Sequence, residues 1–154
     1  MRGLGLLVLR MVVSVVFVSH GLRKLLPLWG GSPREVAALY ESVGLIPAYP
    51  LTVGTGIVEV FGGMLLAAGA YTTWITILLA ATTIATGWKL HLPNGFFLSW
   101  SLEPSLGHGY EYDLLLVASL TCLLLAGAGA FSIEGRRARS LERKEFGRAR
   151  ARKI

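Results

Sequence analysis

The stretch LTVGTGIVEVFGGMLLAAG, residues 51–69, is apolar or small at almost every position, yet it carries a carboxylate, Glu59, near its middle. A helix rising about 1.5 Å per residue needs about 20 residues to cross a hydrocarbon core of about 30 Å, so this run has spanning length. An acid about 12 Å deep in such a span costs roughly 2 to 3 kcal/mol or more if it faces lipid. Glu59 must therefore face protein or water. Its neighbours permit that: Thr55, Glu59, Gly63 and Ala67 recur at i+4 steps, and Gly56 and Gly62 lie three residues to either side. Small residues let a second helix approach closely.

The rest of the chain repeats this character. Of its 154 residues 53% are hydrophobic, and the mean hydropathy of +0.59 is high for a water-soluble domain. Three more apolar runs occur, at about 4–20, 74–90 and 113–131. None shows the dyad alternation of an outer-membrane barrel. The expectation is an all-α integral membrane four-helix bundle over residues 1–134, followed by a basic tail at 135–154. The first run has the hydropathy of a signal peptide, but Arg10 interrupts it and no small-x-small cleavage site follows, so it reads as a retained span. Cys122 is the single cysteine, which excludes dithiol chemistry within one chain.

Charge sets the topology. Nine of the fifteen Lys and Arg residues lie after residue 133, and Arg2 precedes the first run. The positive-inside rule then puts both termini in the cytoplasm and turns the segments at 21–50 and 91–112 outward. Within the first of these, Ser32 and Glu35 have capping-box spacing, Pro33 suits the first helical position and Gly44 suits a stop, which predicts a short outer helix. Trp88, Trp100, Tyr110 and Tyr112 gather toward the outer interface and Tyr71 and Trp74 toward the inner one, as an aromatic belt would. The basic tail suits anionic lipid at the membrane surface. No nucleic-acid-binding module accompanies it, and nucleic acid is not expected as a partner.

Two cations compete for Glu59. Arg10, Ser14, Phe17, Gly21 and Lys24 follow 4, 3, 4, 3 spacing and share one stripe of the first span. That span runs antiparallel to the second, so either Arg10 or Lys24 could pair with Glu59 and fix the helix register. In the alternative reading Glu59 lines a polar pocket that opens outward. Other polar groups collect in the same half: His20 ends the first span, Lys89 and His91 end the third beyond Thr82, Thr83 and Thr86, and Glu111 and Tyr112 begin the fourth. Nothing in the histidine spacing demands haem or a metal, and no metal site is expected. There is also an internal echo: AGAYT at 68–72 matches AGAFS at 128–132, and HGLRKLLP ends the first span as TGWKLHLP ends the third. This suggests a duplicated helical hairpin with Glu59 and Glu111 as loosely equivalent acids.

In order along the chain, LRMVVSVVFVSHGLRKL, GIVEVFGGMLLAAGAYT, HLPNGFF, GYEYDLLLVA and LLLAGAGAFSIE resemble the DoxX family of small four-span membrane proteins. The resemblance covers Arg10, Gly21 and Lys24, then Glu59, Gly62 and Gly63, then His91, Gly95, Phe96 and Phe97, and finally Glu111, Gly127, Gly129 and Ser132. Glu134 stands where the family commonly has Asp. The family resemblance implies a redox context: members are linked to quinone-coupled sulfur oxidation, in which thiosulfate electrons reach the quinone pool, and others to redox-stress assemblies.

Combined with the polar residues, this gives one leading expectation and two rivals. In the first, an inner-membrane component of a quinone-linked oxidoreductase system binds a quinone headgroup or a small anion in an outward-opening pocket. Glu59 or Glu111 exchanges protons, Lys24 and Lys89 supply positive potential, His20, His91 and Tyr112 form hydrogen bonds, and Arg10 holds Glu59. No haem, flavin, iron–sulfur or nucleotide motif is present to move electrons, so partner redox subunits are implied. The rivals are a non-enzymatic scaffold that recruits redox proteins and a small-molecule carrier, the latter requiring a homo-oligomer.

Overall fold

The computed structural model describes residues 2–27, 30–99 and 107–151. The order of elements is α1 (Arg2–Leu25), α2 (Pro33–Ser42), α3 (Ala48–Ala68), α4 (Thr72–Leu90), a 3-10 turn (Leu92–Asn94), α5 (Glu111–Ala126) and α6 (Ile133–Ala151). No strand occurs among the described residues. The short helix α2 starts as its capping box predicts: Ser32 is the N-cap, its Oγ accepts from Glu35 N at 3.2 Å, and Pro33 occupies the first turn. At the other end of α3, Gly69 takes φ 66° and the Ala70 N–H closes onto Leu65 O at 3.0 Å, a left-handed stop that suits glycine.

Packing follows the small-residue stripe. α1 and α3 lie antiparallel, with Gly63 against Ser14 and Val18, Val60 against Gly21, and Gly56 against Lys24 and Leu25. At Gly21 the approach is tightest: a Cβ there would stand 2.6 Å from Gly56 O and 2.8 Å from Val60 N. Only hydrogen fits. α4 packs on α3, where Gly62 meets Leu79, and along α5, where Gly87 meets Asp113. α1 also touches α5, and α2 lies over α3 and the end of α1.

The side chains are distributed opposite to those of a water-soluble protein. Arg10, Ser14, Thr52, Glu59, Thr72, Thr76, Thr83 and Ser132 are buried, while Leu4, Val8, Val12, Val15, Phe61, Ile77, Ile84, Leu114 and Leu115 are exposed. Long apolar strips facing outward on four helices need an apolar surrounding. The buried hydroxyls close onto their own helices, as Ser14 Oγ does on Arg10 O at 2.6 Å, Thr76 on Thr72 O at 2.9 Å and Thr83 on Leu79 O at 2.9 Å. Between them sits a small apolar core of Val13, Phe17, Leu66, Leu79, Leu116, Leu120 and Leu123.

Helix lengths differ from those expected. Among the described residues, two segments, Gly3–Leu25 and Ala48–Ala68, are both long and apolar enough to cross a membrane. α5 has 16 residues and stops at Ala126, where Gly127 (φ 73°) and Gly129 (φ 76°) turn the chain before residue 131 is reached. α4 is diluted by six threonines. Of the expected belt, Trp74, Trp88 and Tyr71 are exposed, Tyr112 turns inward to a cavity, and Trp100 lies outside the described residues.

Candidate functional site: a polar cavity walled by five helices

A cavity of about 310 Å³ is lined by residues of α1, α2, α3, α4 and α5, each of which contributes at least one polar side chain, together with apolar Phe17, Val36, Leu39 and Leu116. Its centre is an ion pair. Lys24 Nζ donates to Glu59 Oε1 at 2.6 Å, and the two side chains are 13% and 7% exposed. The 4, 3 spacing on both helices produces it: Lys24 extends the buried stripe of α1, and Thr52, Gly56, Glu59, Gly63 and Leu66 form the buried stripe of α3. Tyr40, on the inner face of α2, completes this corner with its ring centre 5.8 Å from Lys24 Nζ.

A second acid–base pair lines the same cavity. His91 follows the end of α4, and its Nδ1–H donates to Asp113 Oδ2 at 2.6 Å in the first turn of α5. With Nδ1 so engaged, Nε2 is left as the basic nitrogen of the ring. His20 has the same arrangement, its Nδ1–H donating to Val16 O at 2.9 Å; its ring stacks on Tyr112, with centroids 6.3 Å apart and planes 24° apart. The outer edge is completed by Arg23 and His108, both exposed. The loop bearing His108 is pinned to the 3-10 turn by Asn94 Nδ2 donating to His108 O at 3.1 Å, and by Gly109 N, Tyr110 N and Glu111 N donating to Phe97 O, Gly95 O and Phe96 O.

Of the residues singled out from sequence, Glu59, Lys24, His20, His91 and Tyr112 meet at this cavity, and Arg10, Lys89 and Glu111 do not. Arg10 does not hold Glu59. It is 1% exposed, and its guanidinium donates to Ala128 O and, at 2.6 Å, to Phe131 O. The carbonyls of the 127–132 turn point at α1 and satisfy the cation nearer its own end, so Arg10 need not reach along the helix. Lys89 is exposed on the outer side of α4. The Glu111 carboxylate accepts from Leu98 N at 3.2 Å and so holds the loop rather than facing the cavity. Nor do the two acids occupy equivalent heights: Glu59 sits midway along α3, and Glu111 is the first residue of α5.

Asp113, Tyr40, Arg23 and His108 were not anticipated. Asp113 lies two residues beyond Glu111, about 200° further round the helix, so only one of the two acids can face inward. Tyr40 was signalled by its i+3 spacing from Ala37, the two buried residues of α2. At the other end of the molecule the echoed segments meet: Gly69 and Gly129 both take positive φ, Glu134 N donates to Gly69 O at 3.2 Å, and the Glu134 carboxylate accepts from Thr72 N at 2.9 Å.

The cavity therefore offers fixed positive charge, two carboxylates and two basic imidazole nitrogens, a set suited to binding a small polar molecule and moving protons to or from it. Among the described residues, no group of three or more His, Cys, Asp or Glu is placed to hold a metal ion. No curated protein matches the chain, and no solved structure matches it. The DoxX family model matches residues 5–92, which run from the first turns of α1 through the Lys24–Glu59 pair to the 3-10 turn after His91. With more than half of its length matched in this way, the chain belongs to the DoxX family of membrane proteins.

Proposed function

We propose that this protein is a multi-pass component of the inner membrane in which α1, α3, α4 and α5 form a four-helix bundle. In this reading both termini are cytoplasmic, the cavity opens outward, and the protein serves a quinone-linked or redox-stress oxidoreductase system. The observation that carries it is the cavity itself: two acid–base pairs, Lys24–Glu59 and His91–Asp113, line a single space among helices α1, α3, α4 and α5, whose outward faces are apolar. Enclosed ionisable groups in a membrane protein tend to mark functional paths. α5 reaches spanning depth only together with the turn that follows it, and the nine basic residues after residue 133 favour a cytoplasmic end.

A quinone headgroup fits the donor and acceptor set. Lys24, Tyr40 and the His91 imidazole line the cavity together with the stacked His20 and Tyr112 rings. When bound, such a group would supply two-electron redox chemistry. Glu59 and the His91–Asp113 pair would hold the protons, and a partner redox subunit would exchange the electrons. Lipid extraction of the purified protein, followed by quinone analysis, tests this. Co-purifying quinone that is lost in Glu59→Gln at normal expression supports the reading, and its absence from the wild-type protein sinks it. Topology is tested by a reporter fused after Ile154, which should be active only on the cytoplasmic side.

The scaffold reading draws on a different feature. α6 is exposed and strongly basic, with Arg136, Arg137, Arg139, Arg143, Lys144 and Arg148 on its surface beside the exposed Leu141 and Phe146. It suits anionic lipid headgroups at the membrane surface or the acidic face of a recruited redox protein. Normal cellular activity in Glu59→Gln, combined with loss of activity on deletion of 135–154, would favour it.

A further inference from the structure

Helix α6 stands clear of the bundle, with every residue from Arg136 to Arg148 exposed. Its charges are sorted around its axis. At about 100° per residue, Arg136, Arg137, Arg139, Arg143, Lys144 and Arg148 fall in one arc about 180° wide, centred on Ser140 and Gly147. Glu134, Ala138, Glu142 and Glu145 fall within about 80° on the opposite side. The root of the helix fixes which side faces the bundle. There the Glu134 carboxylate accepts from Thr72 N at 2.9 Å, and Gly135 lies so close to Gly129 O and Ala130 Cα that no Cβ fits. The acidic side is therefore the bundle side, and the basic arc is turned away from it.

That orientation decides between the partners open to a basic helix. Laid along the leaflet that holds the bundle, α6 would press its carboxylates onto anionic headgroups and lift its cations into water. This is the reverse of a lipid-binding surface helix, whose cations and apolar residues serve the membrane side. With the C-terminus cytoplasmic, as proposed above, the arc opens to the cytoplasm. It is not only charged: Leu141 and Phe146 are 54% and 75% exposed and stand about 20° beyond the two edges of the basic arc. Apolar side chains bordering a field of guanidinium groups suit a protein surface, where arginine and aromatic residues supply much of the contact energy. A phosphate backbone, by contrast, is met by cations alone. Resting on the scaffold reading of α6, we propose that its outward arc docks a carboxylate-rich face of a cytoplasmic protein, with Leu141 and Phe146 as the apolar contacts at its margins.

The full chain in phosphatidylcholine nanodiscs, at about 0.15 M salt, is titrated with a random copolymer of glutamate and tyrosine as the acidic, partly apolar probe. Saturable binding is expected, and its absence overturns the inference. The variant Glu142→Arg, Arg143→Glu, Lys144→Glu, Glu145→Lys keeps the net charge and breaks the arc, so it should bind about tenfold more weakly as like charges meet. Phe146→Ser should weaken binding as well. Equal binding by the charge-shuffled variant would mean that net charge alone acts, and tighter binding of a DNA duplex of the same charge would assign the arc to nucleic acid; either result overturns the inference. Lipid is tested with a nitroxide on Ser140→Cys in a Cys122→Ser background. Its collision rate with an aqueous nickel chelate should be the same with and without phosphatidylglycerol in the nanodisc. A fall of about threefold or more on adding that lipid would put the arc on headgroups and overturn the inference too. The scaffold reading keeps its own test, because loss of activity on deletion of 135–154 does not depend on which partner the arc meets.

Discussion

Removing the Lys24 ammonium is the most direct perturbation of the site. At 2.6 Å from Glu59 Oε1, the pair attracts by about 6 kcal/mol for an effective dielectric constant of about 20. Much of this is offset by the cost of withdrawing both charges from water. Lys24→Met leaves that cost on Glu59 without the attraction, and Glu59 Oε2 already lacks a partner. A loss of about 3 to 5 kcal/mol is expected, the size seen when one member of a buried pair is deleted. The double variant Lys24→Met with Glu59→Met removes both charges and should recover to within about 1 to 2 kcal/mol of the parent. Reversible unfolding in mixed micelles, followed by far-UV circular dichroism, gives the four corners of the cycle. Single losses that simply add in the double variant, to within about 0.5 kcal/mol, would show that the two residues do not act as a pair.

Four further outcomes are expected. Arg10→Met should destabilise by about 3 kcal/mol or more, since two hydrogen bonds from a charged donor are lost together, and Arg10→Lys should recover only part, because an ammonium lacks the planar fork that serves two carbonyls; both are read by thermal unfolding. Gly21→Ala should cost more than Gly63→Ala in the same assay, because a Cβ at 21 meets backbone at 2.6 Å, whereas at 63 its nearest atom is a Val18 methyl at 2.8 Å. Gly63→Leu should be worse than either, and unchanged detergent stability in that variant would contradict the close α1–α3 contact. Glu134→Ala should lose about 1 kcal/mol as the first turn of α4 gives up its acceptor, with Glu134→Gln near the parent because an amide oxygen still accepts.

What could be read from sequence was set by local rules. Helix α2 was legible because its signals, Ser32, Pro33, Glu35 and Gly44, act within a turn or two. The buried stripes of α1 and α3 were legible because 4, 3 spacing leaves one face, whatever that face meets. The choice between Arg10 and Lys24 was not, since it turns on the axial offset of two helices and on carbonyls more than a hundred residues away. Glycine in LLLAGAGAFS carried the missing signal: two positive-φ residues end α5 early and bring the carbonyls of Ala128 and Phe131 onto Arg10. Asp113 was missed for a related reason, as helix phase near the first turn depends on where the helix begins, and Glu111 was the nearer acid.

One helix carries both cationic contacts. Arg10 and Lys24, about 21 Å apart along α1, engage partners at opposite ends of the molecule, so the spacing between them works as a ruler. A single residue inserted between 10 and 24 would advance the far end by about 1.5 Å and swing it through about 100°. One contact or the other would then have to be surrendered. Length in this segment is accordingly less tolerant of change than composition: apolar swaps on its outer side leave the measure intact, and one added or missing residue does not.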